Sequence, residues 1–247
     1  MKIIIAENSG FCFGVSKAID TTTKILTEDN IKTYSLGPLI HNNHVIELLK
    51  QKGLEVIEKF DEVDNSRVII RSHGVSLHIY ETAKQKNIDI IDCTCPFVRK
   101  IQNKVKEFGS LGYQIVIIGD AKHPEVIGIN GWCDNNAIII NDEEDIEVML
   151  NYDKICIVAQ TTFYEKKFRQ LEKLISLKGN EVKVFNTICS ATQLRQKSCE
   201  EIANIADAMV IIGGYHSSNT QKLVEISKKY CNNTIILRHQ NNCPFMS

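Results

Sequence analysis

The sequence predicts an α/β protein made of three similar small units arranged around a pseudo-threefold axis. Two observations support this prediction. Short runs rich in Ile and Val alternate with segments whose apolar residues fall at helical spacing, which is typical of α/β folds with parallel sheets. In addition, one order of strand, cysteine, helix, strand, glycine and histidine occurs three times along the chain.

The predicted strands are short runs dominated by β-branched and aliphatic residues. In chain order they cover Ile3–Ala6, Thr33–Leu36, Leu54–Ile57, Val68–Ser72, Ile88–Asp92, Ile115–Gly119, Ala137–Ile140, Ile155–Gln160, Val182–Phe185, Met209–Gly213 and Thr234–Leu237. Helices are predicted between them. Two apolar stripes mark such helices, and each stands before a glycine that is expected to end it: Val45, Leu48 and Leu49 before Gly53, and Phe168, Leu171, Leu174 and Ile175 before Gly179.

Three of the predicted strands lead into loops that carry a cysteine, at Cys12, Cys95 and Cys189. A histidine follows each cysteine after 29, 28 and 27 residues. This repetition predicts three units, covering residues 13–94, residues 95–188, and residues 1–12 together with 189–247. The last strand loop of the third unit would fall at about 250 to 255, so we expect this unit to be shortened. The alternative is a single doubly wound domain with accidental repetition.

The three cysteines are the candidate metal ligands. Loops at the carboxyl ends of parallel strands lie at one edge of each sheet, so we expect Cys12, Cys95 and Cys189 to meet near the centre. One thiolate from each loop can hold a 4Fe-4S cluster and leave its fourth iron without a protein ligand. Zinc is less favoured, because the sequence contains no C-x-x-C pair. The other cysteines are expected to be inert core thiols.

Polar side chains that follow strands and precede helices are the candidate anion ligands, because helix N-terminal amides can assist them there. They lie in motifs around His41, His73, His123 and Ser217-Ser-Asn219. A phosphate or diphosphate suits them better than a large apolar ligand. We expect Glu125 to point inward as an acid and Thr161 to relay a proton. The alternatives are a helix-dipole role for Glu125 and a capping role for the Thr hydroxyls.

Composition excludes several other classes. A formal net charge of −1 and a pI near 6.7 provide no global field that would attract nucleic acid or an anionic membrane. Glu7 interrupts the first apolar run before a signal-peptide core is complete, and no later run approaches the roughly 18 apolar residues of a membrane span. Nine scattered cysteines do not suggest a disulfide framework. We therefore expect a cytoplasmic protein that binds neither nucleic acid nor membrane.

Eight motifs in a fixed order are the most specific signal in the chain. They are Gly10-Phe-Cys-Phe-Gly-Val15, His41-Asn42, Ser72-His-Gly-Val75, Asp92-Cys-Thr-Cys-Pro96, His123-Pro-Glu125, Gln160-Thr-Thr162, Ile188-Cys189-Ser-Ala-Thr192 and Ser217-Ser-Asn219. Over essentially the whole chain this pattern resembles the 4-hydroxy-3-methylbut-2-enyl diphosphate reductases of the non-mevalonate isoprenoid pathway. The end of the chain, after Leu237, departs from that family, whose members continue through a further strand and a serine loop.

The resemblance implies a trefoil of three α/β domains around a 4Fe-4S cluster held by Cys12, Cys95 and Cys189. It further implies a diphosphate site formed by six residues: His41, His73, His123, Ser217, Ser218 and Asn219. Thr161 would then lie near the substrate hydroxyl, and Glu125 would supply a proton. The implied reaction removes the allylic hydroxyl with two electrons and two protons, giving isopentenyl and dimethylallyl diphosphate and water.

Ferredoxin or flavodoxin is the implied electron donor, because the chain carries no flavin or nicotinamide fingerprint of its own. Two other functions stay open at this point. One is a protein that binds a cluster and a diphosphate without turnover, because its third unit is short. The other is a three-cysteine cluster lyase resembling quinolinate synthase, although the His-Pro-Glu and Gln-Thr-Thr motifs argue against it.

Overall fold

The computed structural model describes residues 2–28, 31–60, 63 and 66–237, in which helices and strands alternate. The helices are α1 Phe13–Glu28, α2 Asn43–Gln51, α3 Leu77–Gln85, α4 Pro96–Ser110, α5 Pro124–Asn130, α6 Glu144–Glu147, α7 Glu165–Ser176, α8 Ser190–Ala203 and α9 Ser218–Tyr230. The strands are β1 Thr33–Leu36, β2 Leu54–Ile57, β3 Arg67–Ile70, β4 Asp89–Asp92, β5 Gln114–Ile118, β6 Ile138–Ile140, β7 Tyr152–Ala159, β8 Gly179–Val184, β9 Met209–Ile212 and β10 Thr234–Leu237.

The strands form three parallel sheets that repeat one topology. The first sheet has the order β2-β1-β3-β4, and the second has the matching order β6-β5-β7-β8. In the third sheet β9 pairs with β10, as β1 pairs with β2 and β5 with β6. The predicted fold class is confirmed: the protein is an α/β trefoil of three similar parallel-sheet units. The residue limits of the three units stay a prediction.

Both faces of the second sheet are covered, which explains its uninterrupted apolar strands. Ile118 and Ile157 pack in one buried cluster with Phe168 of α7. Ile117 and Val158 belong to a second cluster, which α4 and α5 complete. The first sheet also has two buried clusters, one of them against α1 and α2. The first and second sheets are therefore each part of a helix–sheet–helix arrangement, and the third sheet packs on α8 and α9 in a cluster of its own.

The prediction of a strand at Ile3–Ala6 is wrong. This segment lies outside any strand, and the side chains of Ile3 and Ile5 are 67% and 78% exposed. A strand needs a neighbour that completes its hydrogen bonds, and none of the strands in the described ranges pairs with it. Gly179 was also expected to end α7, but the helix ends at Ser176 and Gly179 begins β8.

The predicted shortening of the third unit concerns the chain end, and residues 238–247 lie outside the described residues.

In the ranges that the structure describes, no helix is both long and apolar enough to cross a lipid bilayer.

Replacing Ile157 by Ala should lower the free energy of unfolding by about 2 to 5 kcal/mol, because its side chain is fully buried in the cluster between the second sheet and α7. Urea denaturation followed by circular dichroism measures this loss. Ile205→Ala is the matched control, since Ile205 is 72% exposed and should tolerate the same truncation. Equal losses in the two variants would contradict the assignment of the core.

Candidate active site

Three histidine rings meet at the carboxyl ends of the first two sheets. His41 lies between β1 and α2, His73 follows β3, and His123 immediately precedes α5. Their ring centroids are 4.2 Å apart for His41 and His73, 5.3 Å for His41 and His123, and 5.7 Å for His73 and His123. The structure thus brings together three of the residues predicted to bind a diphosphate.

Local hydrogen bonds fix the loops that carry these rings. Asn42 caps α2, where its Oδ1 accepts a bond of 3.3 Å from the N–H of Val45. The N–H and the hydroxyl of Ser72 both donate to the carbonyl oxygen of Leu39, at 3.3 and 3.2 Å, which joins the His41 and His73 loops. The loops of His41 and His73 are therefore held by local bonds and by bonds to each other.

All three imidazoles are neutral at pH 7 in this environment. Burial lowers the pKa of His41 and of His123 to about 4, and it lowers the pKa of His73 well below the usual 6.5. The Nδ1 of His123 accepts a bond of 3.1 Å from the N–H of Glu125, so its neutral ring carries the proton on Nε2. Buried His41 Nε2 and His73 Nδ1 have no hydrogen-bond partner among the described residues, so both are available to a ligand.

Arg71, which lies in none of the predicted site motifs, places a positive charge beside the three rings. Its guanidinium packs against Gly37, where a Cβ would collide with Nη1. The charge of Arg71 contributes to the low pKa of His41, His73 and His123, while burial lowers the pKa of Arg71 itself. Its Nε is buried without a partner in the described part of the chain. Gly37 is the sequence feature that points to this contact. It follows β1 at the level where Arg71 follows the neighbouring strand β3, and its lack of a side chain leaves room for the guanidinium.

Glu125 and Thr161 form a buried pair next to His123. Only 2% of the Glu125 surface is exposed. Its Oε1 accepts from the N–H of Thr161 at 2.6 Å, and its Oε2 accepts from the Thr161 hydroxyl at 2.7 Å. Burial raises the pKa of Glu125 to about 7, although both bonds from Thr161 oppose this rise. The carboxyl group points inward, and near neutral pH it is balanced between its acid and its base form.

The start of α9 closes the site from the third sheet. The Ser218 hydroxyl accepts from Thr162 Oγ1 at 2.9 Å and from Gln160 Nε2 at 3.3 Å. Ser217 caps α9 by accepting a bond from the N–H of Thr220, and Asn219 Oδ1 is buried without a partner in the ranges that the structure covers. An opening of about 360 Å³ lies between Ser218, Gln160 and His123.

The three candidate cluster cysteines occupy equivalent positions. Cys12 immediately precedes α1, Cys95 precedes α4, and Cys189 precedes α8. All three are half-buried free thiols. A Cβ on Gly14 would lie 2.6 Å from Cys95 Sγ, so the start of α1 packs directly on that sulfur. The N–H of Thr192, in the first turn of α8, donates to Cys189 Sγ at 3.4 Å, and backbone N–H groups of Phe97 and Val98 in the first turn of α4 bond to the Cys95 sulfur.

The electrostatic surroundings of Cys95 place the other two sulfurs nearby. Burial raises the pKa of Cys95, and the charges of Cys12 and Cys189 raise it further. In the described residues, no three His, Cys, Asp or Glu side chains lie close enough to hold a single metal ion. An iron–sulfur cluster binds each cysteine through a different iron atom, so its ligands need not converge on one ion. The three thiols fit a cluster better than they fit zinc.

Two backbone hydrogen bonds connect the cysteine loops to the polar site. The N–H of Cys95 donates to the carbonyl oxygen of Ser72 at 2.9 Å, next to His73. The N–H of Cys189 donates to the carbonyl oxygen of Thr161 at 3.1 Å. The polar and the sulfur sides are therefore two faces of one continuous site.

The stability difference between the protein and its Glu125→Gln variant should depend on pH. The folded pKa of about 7 lies above the ordinary value of 4.5, so the stabilisation by the bound proton is complete below pH 4.5 and is lost as pH rises through 7. The difference in unfolding free energy should fall by roughly 2 kcal/mol between pH 5 and pH 8. Urea denaturation at each pH measures it, with the exposed Glu144→Gln as control. A constant difference would contradict the raised pKa.

The sequence of the whole chain matches one protein family. A family model described as LytB protein matches residues 3–245. A 4-hydroxy-3-methylbut-2-enyl diphosphate reductase from Alkaliphilus oremlandii is 54% identical over 230 residues, which are 93% of this chain and 82% of that protein. The reductase of the same name from Caldanaerobacter subterraneus is 46% identical over 250 residues, covering 99% of this chain and 86% of the relative.

Solved structures agree with this match. One is a structure of (E)-4-hydroxy-3-methyl-but-2-enyl diphosphate reductase, described as the terminal enzyme of the non-mevalonate pathway. It is 40% identical in sequence and has a TM-score of 0.74, and the match covers 98% of this chain and 88% of that chain. A structure of the E-1-hydroxy-2-methyl-but-2-enyl-4-diphosphate reductase from Plasmodium falciparum has a TM-score of 0.90 at 29% identity, and the match covers 96% of this chain and 76% of that chain. The chain belongs to the LytB family, the family of the 4-hydroxy-3-methylbut-2-enyl diphosphate reductases.

Proposed function

We propose that the protein reduces 4-hydroxy-3-methylbut-2-enyl diphosphate to isopentenyl and dimethylallyl diphosphate. The observation that carries this proposal is the buried Glu125–Thr161 pair beside the three-histidine cluster. It combines a proton source with a site for a small anion in one enclosed space. The names of the relatives support the same substrate.

The anion site is proposed to hold the diphosphate through His41, His73 and His123, with Ser217, Ser218 and Asn219 from the third sheet. Neutral rings donate through N–H groups, and each ring gains a favourable charge interaction if it takes up a proton when the anion arrives. Arg71 supplies a permanent positive charge at short range. Removal of water from this pocket strengthens every one of these interactions.

Cys12, Cys95 and Cys189 are proposed to hold a 4Fe-4S cluster. When bound, such a cluster supplies electrons and one iron without a protein ligand that can act as a Lewis acid. The proposal depends on the equivalent positions of three free thiols at helix N-termini. A ferredoxin or flavodoxin is the proposed donor, because the sequence has no flavin or nicotinamide fingerprint.

Glu125 is proposed to be the acid of the reaction. One proton joins the departing hydroxyl oxygen, which leaves as water when the C–O bond breaks. Two electrons enter the allylic fragment, and a second proton is added to carbon. A carboxyl group with a pKa near 7 suits this task, since it holds a proton and yields it readily at neutral pH. The Thr161 hydroxyl, which donates to Oε2, is proposed to relay this proton: it would accept the proton from the carboxyl group and donate its own to the substrate hydroxyl.

Anaerobically reconstituted protein should convert the allylic diphosphate when a strong one-electron donor such as reduced methyl viologen is supplied. Glu125→Gln should lower kcat by about 10²- to 10⁴-fold with little change in KM, because it removes a proton donor and leaves the anion site intact. Glu144→Gln, an exposed carboxylate on α6, is the matched control and should keep full activity.

The same assay separates the other functions. Binding of the diphosphate without any product would favour a binding protein over an enzyme. Effective competition by a dicarboxylate, with no competition by inorganic diphosphate, would favour a lyase of the quinolinate synthase kind. Unchanged kcat in Glu125→Gln would remove Glu125 from its proposed role.

Cys95→Ala should lose most of the reconstituted iron, sulfide and visible absorption, because one of three ligands is missing. Cys93→Ala is a close control, since Cys93 lies two residues away but is buried in the core of the first sheet. It should keep its iron content. Iron and sulfide analysis with absorption spectra measures both variants. Equal iron in Cys95→Ala and in the unmodified protein would contradict the ligand assignment.

A further inference from the structure

The segment that leads to Cys12 is attached to the protein in an unusual way. Cys95 and Cys189 each have a backbone N–H bonded to a neighbouring loop, at Ser72 and Thr161. Cys12 has no such bond among the described residues. Within residues 2–11, the one backbone hydrogen bond in the described structure is local, from the N–H of Ser9 to the carbonyl of Ala6.

One side chain replaces the missing backbone contact. Arg195 lies on α8, the helix that begins after Cys189. Its Nε donates to the carbonyl oxygen of Asn8 at 2.9 Å, and its Nη2 donates to the carbonyl oxygen of Gly10 at 2.7 Å. The planar guanidinium thus donates hydrogen bonds to two carbonyl groups of one turn, a geometry that a lysine cannot reproduce.

The turn is shaped for this contact. Gly10 has a φ of +86°, and a Cβ at this position would meet nothing within 4 Å, so the backbone conformation itself requires glycine. Phe11 and Phe13, on either side of Cys12, are 52% and 67% exposed and bury little surface that could fix the segment. The guanidinium bonds are therefore the main polar attachment of this loop.

We infer that Arg195 is a positioning residue that holds the Cys12 loop against the Cys189 helix, so that the thiol is in place before a cluster binds. The inference rests on the proposed cluster and names the residue that organises one of its ligands. Arg195 connects Cys12 to α8, and the close contact between Gly14 and Cys95 connects the start of α1 to the second ligand. Together these two contacts fix the position of Cys12 relative to Cys189 and Cys95.

The test compares Arg195→Met, Arg195→Lys and Lys197→Met. Lys197 lies on the same helix, is exposed, and pairs with Glu201. The N–H of Ser9, bonded to the carbonyl of Ala6, reports on the turn that Arg195 holds. Its hydrogen exchange in cluster-free protein, read by NMR, should become about tenfold faster in Arg195→Met, because two hydrogen bonds from a charged donor to the turn are lost. The exchange rate in Arg195→Lys should lie between the rates of Arg195→Met and the unmodified protein. The rate in Lys197→Met should equal that of the unmodified protein.

A second measurement follows the reconstituted cluster. Its visible absorption in air should decay several-fold faster in Arg195→Met than in Lys197→Met.

Unchanged exchange together with unchanged decay would overturn the inference, even if the unmodified protein carries a cluster and turns over. If the unmodified protein binds no iron, the proposed function fails, while the exchange rates still decide whether Arg195 holds the loop. If Arg195→Met does not fold, unchanged exchange in Arg195→Lys would also overturn it.

Discussion

In a parallel sheet all strands end at the same edge, and every polar residue placed just after a strand is delivered to that edge. This constraint organises the whole protein. The first sheet delivers His41 and His73, the second delivers His123 and Thr161, and the third delivers Ser218. The helices that follow begin at the same edge, so their amide ends add to a site that none of the sheets could build alone.

The second consequence of this arrangement is desolvation. Burial lowers the pKa of the three histidines, so that they stay neutral even at pH 6, and it brings Glu125, which would be charged in water, close to balance at pH 7. Such groups respond strongly to an arriving anion, because little water is left to screen it. Arg71 adds a positive charge beside the three rings. These features suit the anionic substrate of the proposed function.

Most of the architecture could be predicted from the sequence, because the repeat fixed which strands correspond. The predicted strands from Thr33–Leu36 to Thr234–Leu237 all exist, with ends that differ by a few residues. Ile3–Ala6 could not be settled in this way, since its apolar pattern is that of a strand but pairing depends on a distant partner. Gly179 shows the same limit: a glycine can end a helix or begin a strand, and only packing decides.

The site was predictable where a motif carries it and not where a contact does. The histidines, Glu125, Thr161 and the three cysteines all lie in recognisable motifs, and the structure places them together. Arg71 and Arg195 were missed, because an arginine in a strand end or on a helix is usually solvated. Their importance comes from partners that are far away in sequence, such as Gly37 for Arg71 and Asn8 for Arg195.

The backbone bonds from Cys95 to Ser72 and from Cys189 to Thr161 also restrict how the sequence can diverge. A substitution that shifts the Ser72 loop displaces both an imidazole and a thiol, and a change near Thr161 disturbs both an acid and a thiol. Compensation would therefore require simultaneous changes on two sides of the molecule. Drift in these loops is expected to be slow for reasons of geometry, even at positions whose side chains touch no ligand.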